Sequence, residues 1–290
     1  MGPVFARLLR HGHRPASLVR HGARAMNEEL LALAQRAARA TADLVRPQIG
    51  SARVAATKSS AVDVVTQVDR DSEALIRSII TAARPHDAIV GEEEDDRPGS
   101  SGVRWIVDPI DGTVNFLYNL PEFAVSIAVE VAGVTVAGVV INIPQQIEYA
   151  AVRTADGVRS TRNGQPISVR AYAPLAERLI ATGFSYDSGL RALQGAAAAK
   201  LLPSVRDLRR HGAAALELCH VAEGCVDGYL EEGTNVWDYA AGALIAEGAG
   251  ATVEVLTGSG GRTLVVAGPA DGFDELLTAA QACSYVADPV

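Results

Sequence analysis

Residues 123 to 152 constrain the fold of this 290-residue chain more than any other stretch. Val and Ile dominate it, and Gly133 and Pro144 interrupt it as turn residues, so it reads as a meander of β-strands. Upstream, Leu30, Leu31, Leu33, Ala34, Ala37, Ala38, Thr41 and Leu44 recur at helical spacing until Pro47 and Gly50 stop them. A second helix is predicted from about Ser72 to Ala83, with Asp69 just ahead of it. Asn163-Gly164 signals a hairpin before Ile167 to Val169. After Pro174 short strands alternate with helices: strands near 179–181, 226–230, 252–255 and 264–266, helices near 191–202, 213–223, 239–247 and 273–282. Gly258 to Gly261 reads as a flexible turn. A meander followed by alternation predicts an α/β (α+β) layered sandwich, antiparallel in its N-terminal half and α/β in its C-terminal half.

No run of about eighteen apolar residues occurs, so no membrane span is expected. The net charge of -8 argues against a general nucleic-acid binder and suits a protein that recruits cations. Cys219, Cys225 and Cys283 are odd in number and lack a CxxC spacing. They predict buried apolar thiols in a cytoplasmic protein rather than disulfides or structural zinc. Residues 1–26 hold five arginines, three histidines and no acid. They read as a disordered basic extension, with a transit peptide as the alternative. Without those five arginines, 21 basic residues face 34 acidic ones.

The acids that matter end apolar runs. Val90-Gly91-Glu92 and Val107-Asp108-Pro109-Ile110-Asp111-Gly112-Thr113 each look like a strand delivering carboxylates at its C-terminal end, where open α/β folds place ligands. Pro109 fixes its own φ and biases Asp108 towards an extended conformation. Gly112 permits close backbone approach to a ligand. Two carboxylates three residues apart on such a turn can converge on hard cations, which prefer oxygen. Glu93 to Asp96, by contrast, read as a solvated loop.

Asp111-Gly112-Thr113-Val114 is similar to the motif of haloacid-dehalogenase phosphatases, whose nucleophile is an Asp two residues before the Asp of that motif. That position is Pro109, so the covalent route has no nucleophile. GxxxxGK[ST], GxSxG and GxGxxG are all absent.

Asp108 to Phe116 resembles the signature of the inositol monophosphatases, and Trp237-Asp238 followed by small residues resembles their second signature. Lys58-Ser59-Ser60, Val65 to Asp69 and Gly91-Glu92-Glu93 match further family segments in family order. The resemblance spans about Asn27 to Ala280. It implies a lithium-sensitive, Mg²⁺-dependent phosphomonoesterase with two or three Mg²⁺ per site, working as a homodimer. Glu92, Asp108 and the Ile110 carbonyl would hold the first metal, Asp108, Asp111 and Asp238 the second, and Glu92 a weaker third. Asp69, Glu92 and Thr113 are the implied catalytic residues, with Thr113, bonded to Asp69, helping to activate a metal-bound water. Gly112, Thr113, Ala214, Glu231 and Asp238 are the implied substrate contacts. Residues 27–170 would carry most metal ligands, and 171–290 Asp238 and the substrate contacts.

Taken alone, Asp238 also reads as a helix N-cap, and Glu231 and Glu232 as charges following a strand. Ala213 stands where family members commonly carry Ser or Thr, which puts substrate preference in question. His220 reads as a helix residue rather than a catalyst, and His86 as loop surface. Inositol 1-phosphate or a similar polyol phosphate is the favoured substrate. The alternatives are histidinol phosphate, fructose 1,6-bisphosphate or a nucleotide 3′-phosphate, and, in another class, a binding role in a transcription complex.

Overall fold

The computed structural model describes residues 16–51, 53–57 and 64–287, with side chains for residues 24–51, 53–56 and 65–287. Residues 1–15 of the expected extension and the Lys58 to Ser60 segment lie outside the described residues.

Helix α1 (Ala16–Val45) starts about ten residues earlier than the sequence suggests, so residues 16–26 belong to it and not to a separate extension. Leu30, Leu33, Ala34, Ala37, Ala38 and Val45 form its buried stripe. Strands β1 (Val54–Thr57) and β2 (Val64–Thr66) pair antiparallel and lead into α2 (Gln67–Ala83). Thr66 caps α2, and Asp69 closes a reciprocal capping box with it. Asp69 therefore lies in the first helical turn, not ahead of the helix.

The next strands are β3 (Ala88–Gly91), β4 (Val103–Asp111), β5 (Ala124–Val131), β6 (Val134–Asn142), β7 (Ile147–Thr154), β8 (Gly157–Arg162) and β9 (Gln165–Pro166). They form one seven-stranded sheet in chain order, antiparallel except for the parallel pair β3 and β4. The short helix α3 (Thr113–Tyr118) sits between β4 and β5. Asn163 (φ 48°) and Gly164 (φ 76°) make the expected hairpin turn. Its second strand is Gln165–Pro166 rather than residues 167–169, because Pro166 has no N–H with which to extend the ladder.

The second sheet comprises β10 (Leu179–Thr182), β11 (Asp207–Arg209), β12 (Gly228–Glu232), β13 (Ala251–Thr257) and β14 (Thr263–Pro269), in the order β11-β10-β12-β14-β13. Helices α4 (Ser188–Leu201), α5 (Ala214–Ala222), α6 (Val236–Gly248) and α7 (Phe273–Ala282) connect or follow these strands.

Side-chain alternation sorts the core into three clusters. Trp105, Val107, Ile127 and Val139 pack under α1 and α2. Ile106, Ala128 and Val140 face the other way, onto α5 and α6, whose far side meets Tyr229, Val265 and Ala267 of the second sheet. Leu230, Leu264 and Val266 turn outward beneath α4 and α7. The result is five layers, helix–sheet–helix–sheet–helix, each fully buried Ile, Leu or Val contributing about 1.5–3 kcal/mol. The central helices come close because their contacts are small. A Cβ on Gly138 of β6 would lie 3.0 Å from the Ala241 carbonyl, and one on Gly242 would lie 2.8 Å from Leu218 Cβ.

Candidate active site

Asp108 and Asp111 are three residues apart, a spacing that in a regular strand sends side chains to opposite faces. Strand β4 avoids this with a bulge. Asp108 pairs with Ser126 and Asp111 with Ala124, so three steps on β4 match two on β5. Pro109 occupies the bulge, where a missing N–H costs no ladder bond. Both carboxylates thereby turn towards the layer of α5 and α6.

Each is then fixed locally. Asp108 Oδ1 accepts the Ile110 N–H at 3.0 Å. Asp111 Oδ2 accepts the Ala215 N–H of α5 at 2.7 Å. Asp238 is the third residue of α6, and its Oδ2 accepts the N–H of Asn235, the N-cap, at 2.6 Å. It completes a capping box and lines the cavity as well, so the helix-terminus and pocket readings hold together, with Asn235 as the cap itself. Glu92 follows β3, whose parallel pairing with β4 sets Gly91 beside Val107. The buried Glu73 carboxylate secures that turn by accepting the Glu93 and Glu94 N–H groups at 2.8 and 3.2 Å.

These residues line one cavity of about 750 Å³ together with Ile110, Gly112, Thr113, Ala214 and Glu231. Asp69 is fully buried behind it and communicates through Thr113, whose hydroxyl lies 3.1 Å from both Asp69 Oδ1 and the Ile110 carbonyl. The other Asp69 oxygen accepts the Thr66 N–H and hydroxyl. Glu231 lies within β12 rather than after it, with Tyr229 Oη 3.1 Å away. Gly183 makes room for its carboxylate, since any Cβ there would overlap it. Glu232, also on the cavity lining, accepts the Arg262 N–H at 3.0 Å.

Burial is the first cause of the acids' raised proton affinity, and mutual repulsion adds to it. Asp108 is held well above the usual carboxylate range by burial and then by Glu92, Asp111 and Asp238. Asp238 is raised likewise by burial, Glu92 and Asp111. Asp111 is pushed up to about 8 by burial against the opposing pull of the Ala215 and Ala214 amides, with Glu231 and Glu92 adding repulsion. Burial raises Glu231 to about 7, although the Tyr229 hydroxyl and Arg210 draw it down. Four crowded carboxylates and one backbone carbonyl form an oxygen-only donor set whose repulsion a hard divalent cation would relieve. The donor chemistry of these residues suits such an ion.

The structure thus brings together every site residue expected from the sequence, Asp69 through Thr113. Sequence reasoning missed Arg191, Arg210 and Arg262, which also line the cavity. Arg210 crosses Gly212, where a Cβ would sit 2.4 Å from its Nη1. Its signal is faint because β11, which delivers it, is a three-residue edge strand of mostly charged residues. His220 lies in α5 beside Glu122 and Glu223, away from the cavity. Cys219 and Cys283 are buried as expected, whereas Cys225 is exposed, because it follows the end of α5 in a surface turn.

Comparison with known proteins shows the family. The model of the inositol monophosphatase family matches residues 26–285. A protein of Mycobacterium tuberculosis named inositol-1-monophosphatase SuhB is 46% identical over 233 residues, covering 77% of this chain and 80% of that one. The Nus factor SuhB of Escherichia coli is 37% identical over 236 residues, covering 79% and 86%. The solved structure of Mycobacterium tuberculosis SuhB superposes with a TM-score of 0.74 at 38% identity, covering 90% of this chain and 98% of that one.

Proposed function

Because the chain belongs to the inositol monophosphatase family, we propose that it is a Mg²⁺-dependent, lithium-sensitive phosphomonoesterase that hydrolyses inositol 1-phosphate or a closely similar polyol phosphate. The observation that carries this reading is the bulge at Pro109, which turns Asp108 and Asp111 to one side, towards Asp238 and Glu92.

Glu92, Asp108, Asp111, Asp238 and the Ile110 carbonyl would hold two or three Mg²⁺. The ions would neutralise the phosphate's charge and lower the pKa of water towards neutrality. The chain's own residues do the rest. The Thr113 hydroxyl directs its proton towards Asp69 and Ile110, which leaves its lone pairs free to orient an attacking water. Asp69, buried and anchored by Thr66, fixes that orientation. Gly112, in the left-handed region at φ 89°, sets its own N–H and that of Thr113 for the phosphate oxygens. A side chain at Gly112 would strain this backbone and press on the Glu122 carbonyl 3.0 Å away. Glu231, on the lining of the same cavity, accepts hydrogen bonds from substrate hydroxyls, which favours a polyol.

Phosphate release with Mg²⁺, with and without Li⁺, tests this over inositol 1-phosphate, histidinol phosphate, fructose 1,6-bisphosphate and a nucleotide 3′-phosphate. Fastest, Li⁺-inhibited release from inositol 1-phosphate is expected, and preference for another phosphate would reassign the substrate. The relatives named Nus factors motivate a second reading, a binding role in a transcription complex. Co-purification of RNA polymerase with the full chain, and its loss when residues 1–15 are removed, would support it.

A further inference from the structure

Helix α5 ends in a reversal that gathers donors of a different kind. Gly224, at φ 75°, lets the chain turn back. Its N–H donates to the Val221 carbonyl at 3.1 Å, and the Cys225 N–H donates to the His220 carbonyl at 2.9 Å. These are the paired bonds of a Schellman ending, whose flanking residues ordinarily make an apolar contact. Here the flanking residues are His220 and Cys225, with Glu223 between them. Glu223 Oε1 lies 3.2 Å from His220 Nδ1 and 3.3 Å from Cys225 Sγ. The three residues' donor atoms all fall within 4.8 Å of one another. A tetrahedral ion with bonds of about 2.0–2.3 Å needs ligand atoms roughly 3.3–3.8 Å apart.

Neighbours orient two of the three donors from behind. Glu122 Oε2 lies 3.5 Å from His220 Nε2, so that nitrogen keeps its proton when Nδ1 gives its own up to an ion. Arg162 Nε lies 2.9 Å from Glu223 Oε2, which leaves Oε1 for the cluster. Cys225 is exposed and provides both an entry path and room for a water as fourth ligand. The negative end of the α5 dipole also favours a cation here.

We propose that His220, Glu223 and Cys225 bind a borderline-soft divalent transition ion, Zn²⁺, at a site separate from the oxygen-only cavity. Sulfur and imidazole donors select against Mg²⁺ and for Zn²⁺. On binding, Cys225 gives its thiol proton to solvent and coordinates as thiolate, and His220, held protonated by Glu122 and Glu223 in the metal-free chain, releases its Nδ1 proton to solvent and coordinates as neutral imidazole. The two sites stand at opposite ends of α5, whose first turn holds Asp111 through the Ala215 amide.

The test uses the full chain with Mg²⁺ in large excess, so that the carboxylate cavity does not take up the probe. Zn²⁺ is measured by equilibrium dialysis and Co²⁺ by absorption. One Zn²⁺ per chain is expected, with a thiolate-to-Co²⁺ charge-transfer band and the intense visible bands of a tetrahedral ion. Cys225→Ser and His220→Asn should each lose that equivalent and that band. Cys225 is exposed, so its replacement keeps the fold and remains decisive if the His220 variant does not fold. The absence of Zn²⁺ binding in the wild type, or an unchanged equivalent or band in Cys225→Ser, would overturn the proposal. None of these readouts depends on phosphatase activity, so the outcome is independent of the reading above.

Discussion

Asp111 caps helix α5 from across the molecule: its Oδ2 accepts the Ala215 N–H at 2.7 Å, in place of the side chain that Ala213 lacks at the N-cap. The carboxylate thereby ties the bulged end of β4 to the helix layer between the sheets. It holds a position that its own desolvation opposes.

The metal-free protein should therefore lose stability as pH rises. Asp111 has an ordinary value of 3.8 and a folded value of about 8. Between these values the folded chain holds a proton that the unfolded chain has released, so stability falls with rising pH across that window. Thermal melting in EDTA from pH 5 to 8 should show a falling Tm, and saturating Mg²⁺ should remove the slope. A flat or rising Tm in EDTA would contradict the crowding described here.

Glu73 is a positioning residue for Glu92. It is fully buried, paired with Arg77 at 2.7 Å and bonded to two N–H groups of the turn after Glu92. Glu73→Gln should raise the Mg²⁺ concentration for half-maximal activity by about 10–100-fold, the usual penalty for losing support behind a ligand. The rate at saturating Mg²⁺ should largely survive. An unchanged Mg²⁺ requirement would limit Glu73 to a structural role.

Much of this was legible locally, and what was not depended on distant partners. Asp108 to Thr113 announces itself because proline, glycine and two acids lie within six residues. The bulge that makes the two acids convergent is invisible without β5, since only pairing shows three residues opposite two. The apolar period of α2 begins after Asp69, so periodicity alone sets that residue ahead of the helix, although Thr66 and Asp69 do have capping-box spacing. Helix α3 is too short to show a period, and β11 too short and too charged to read as a strand. Arg210 follows from neither composition nor spacing. It enters the cavity only because β11 pairs beside β10.

Gly138→Val should push α6, and with it Asp238, away from β6. The added Cβ would already meet the Ala241 carbonyl and Cα at 3.0 and 3.1 Å. Overpacking of this kind costs about 1–3 kcal/mol. A lowered Tm is expected together with a weakened Mg²⁺ response. Lowered stability with an unchanged Mg²⁺ response would show that Asp238 does not depend on this contact.

Asp87 secures the start of β3. It accepts the Trp105 Nε1–H at 2.9 Å, the Ser101 hydroxyl at 2.6 Å and the Arg84 Nε–H at 2.8 Å. Burial pushes its carboxyl up, but these three donors outweigh it and the net displacement is downward. Its contribution is therefore complete above the ordinary value of 3.8 and is lost as pH falls through the lower folded value. Asp87→Asn should cost about 1–3 kcal/mol at neutral pH and flatten the acid limb of the stability profile. An equally steep acid limb in the variant would place its origin elsewhere.

The proposed role of Asp111 is that of one of several carboxylates gathered for Mg²⁺. It is tested most directly by phosphate release from inositol 1-phosphate, comparing the wild type and Asp111→Asn with Mg²⁺ and with EDTA. Wild-type release that needs Mg²⁺, and background release from a variant whose circular dichroism is unchanged, is the result predicted. Near-wild-type turnover by Asp111→Asn, or wild-type turnover that persists in EDTA, would contradict it.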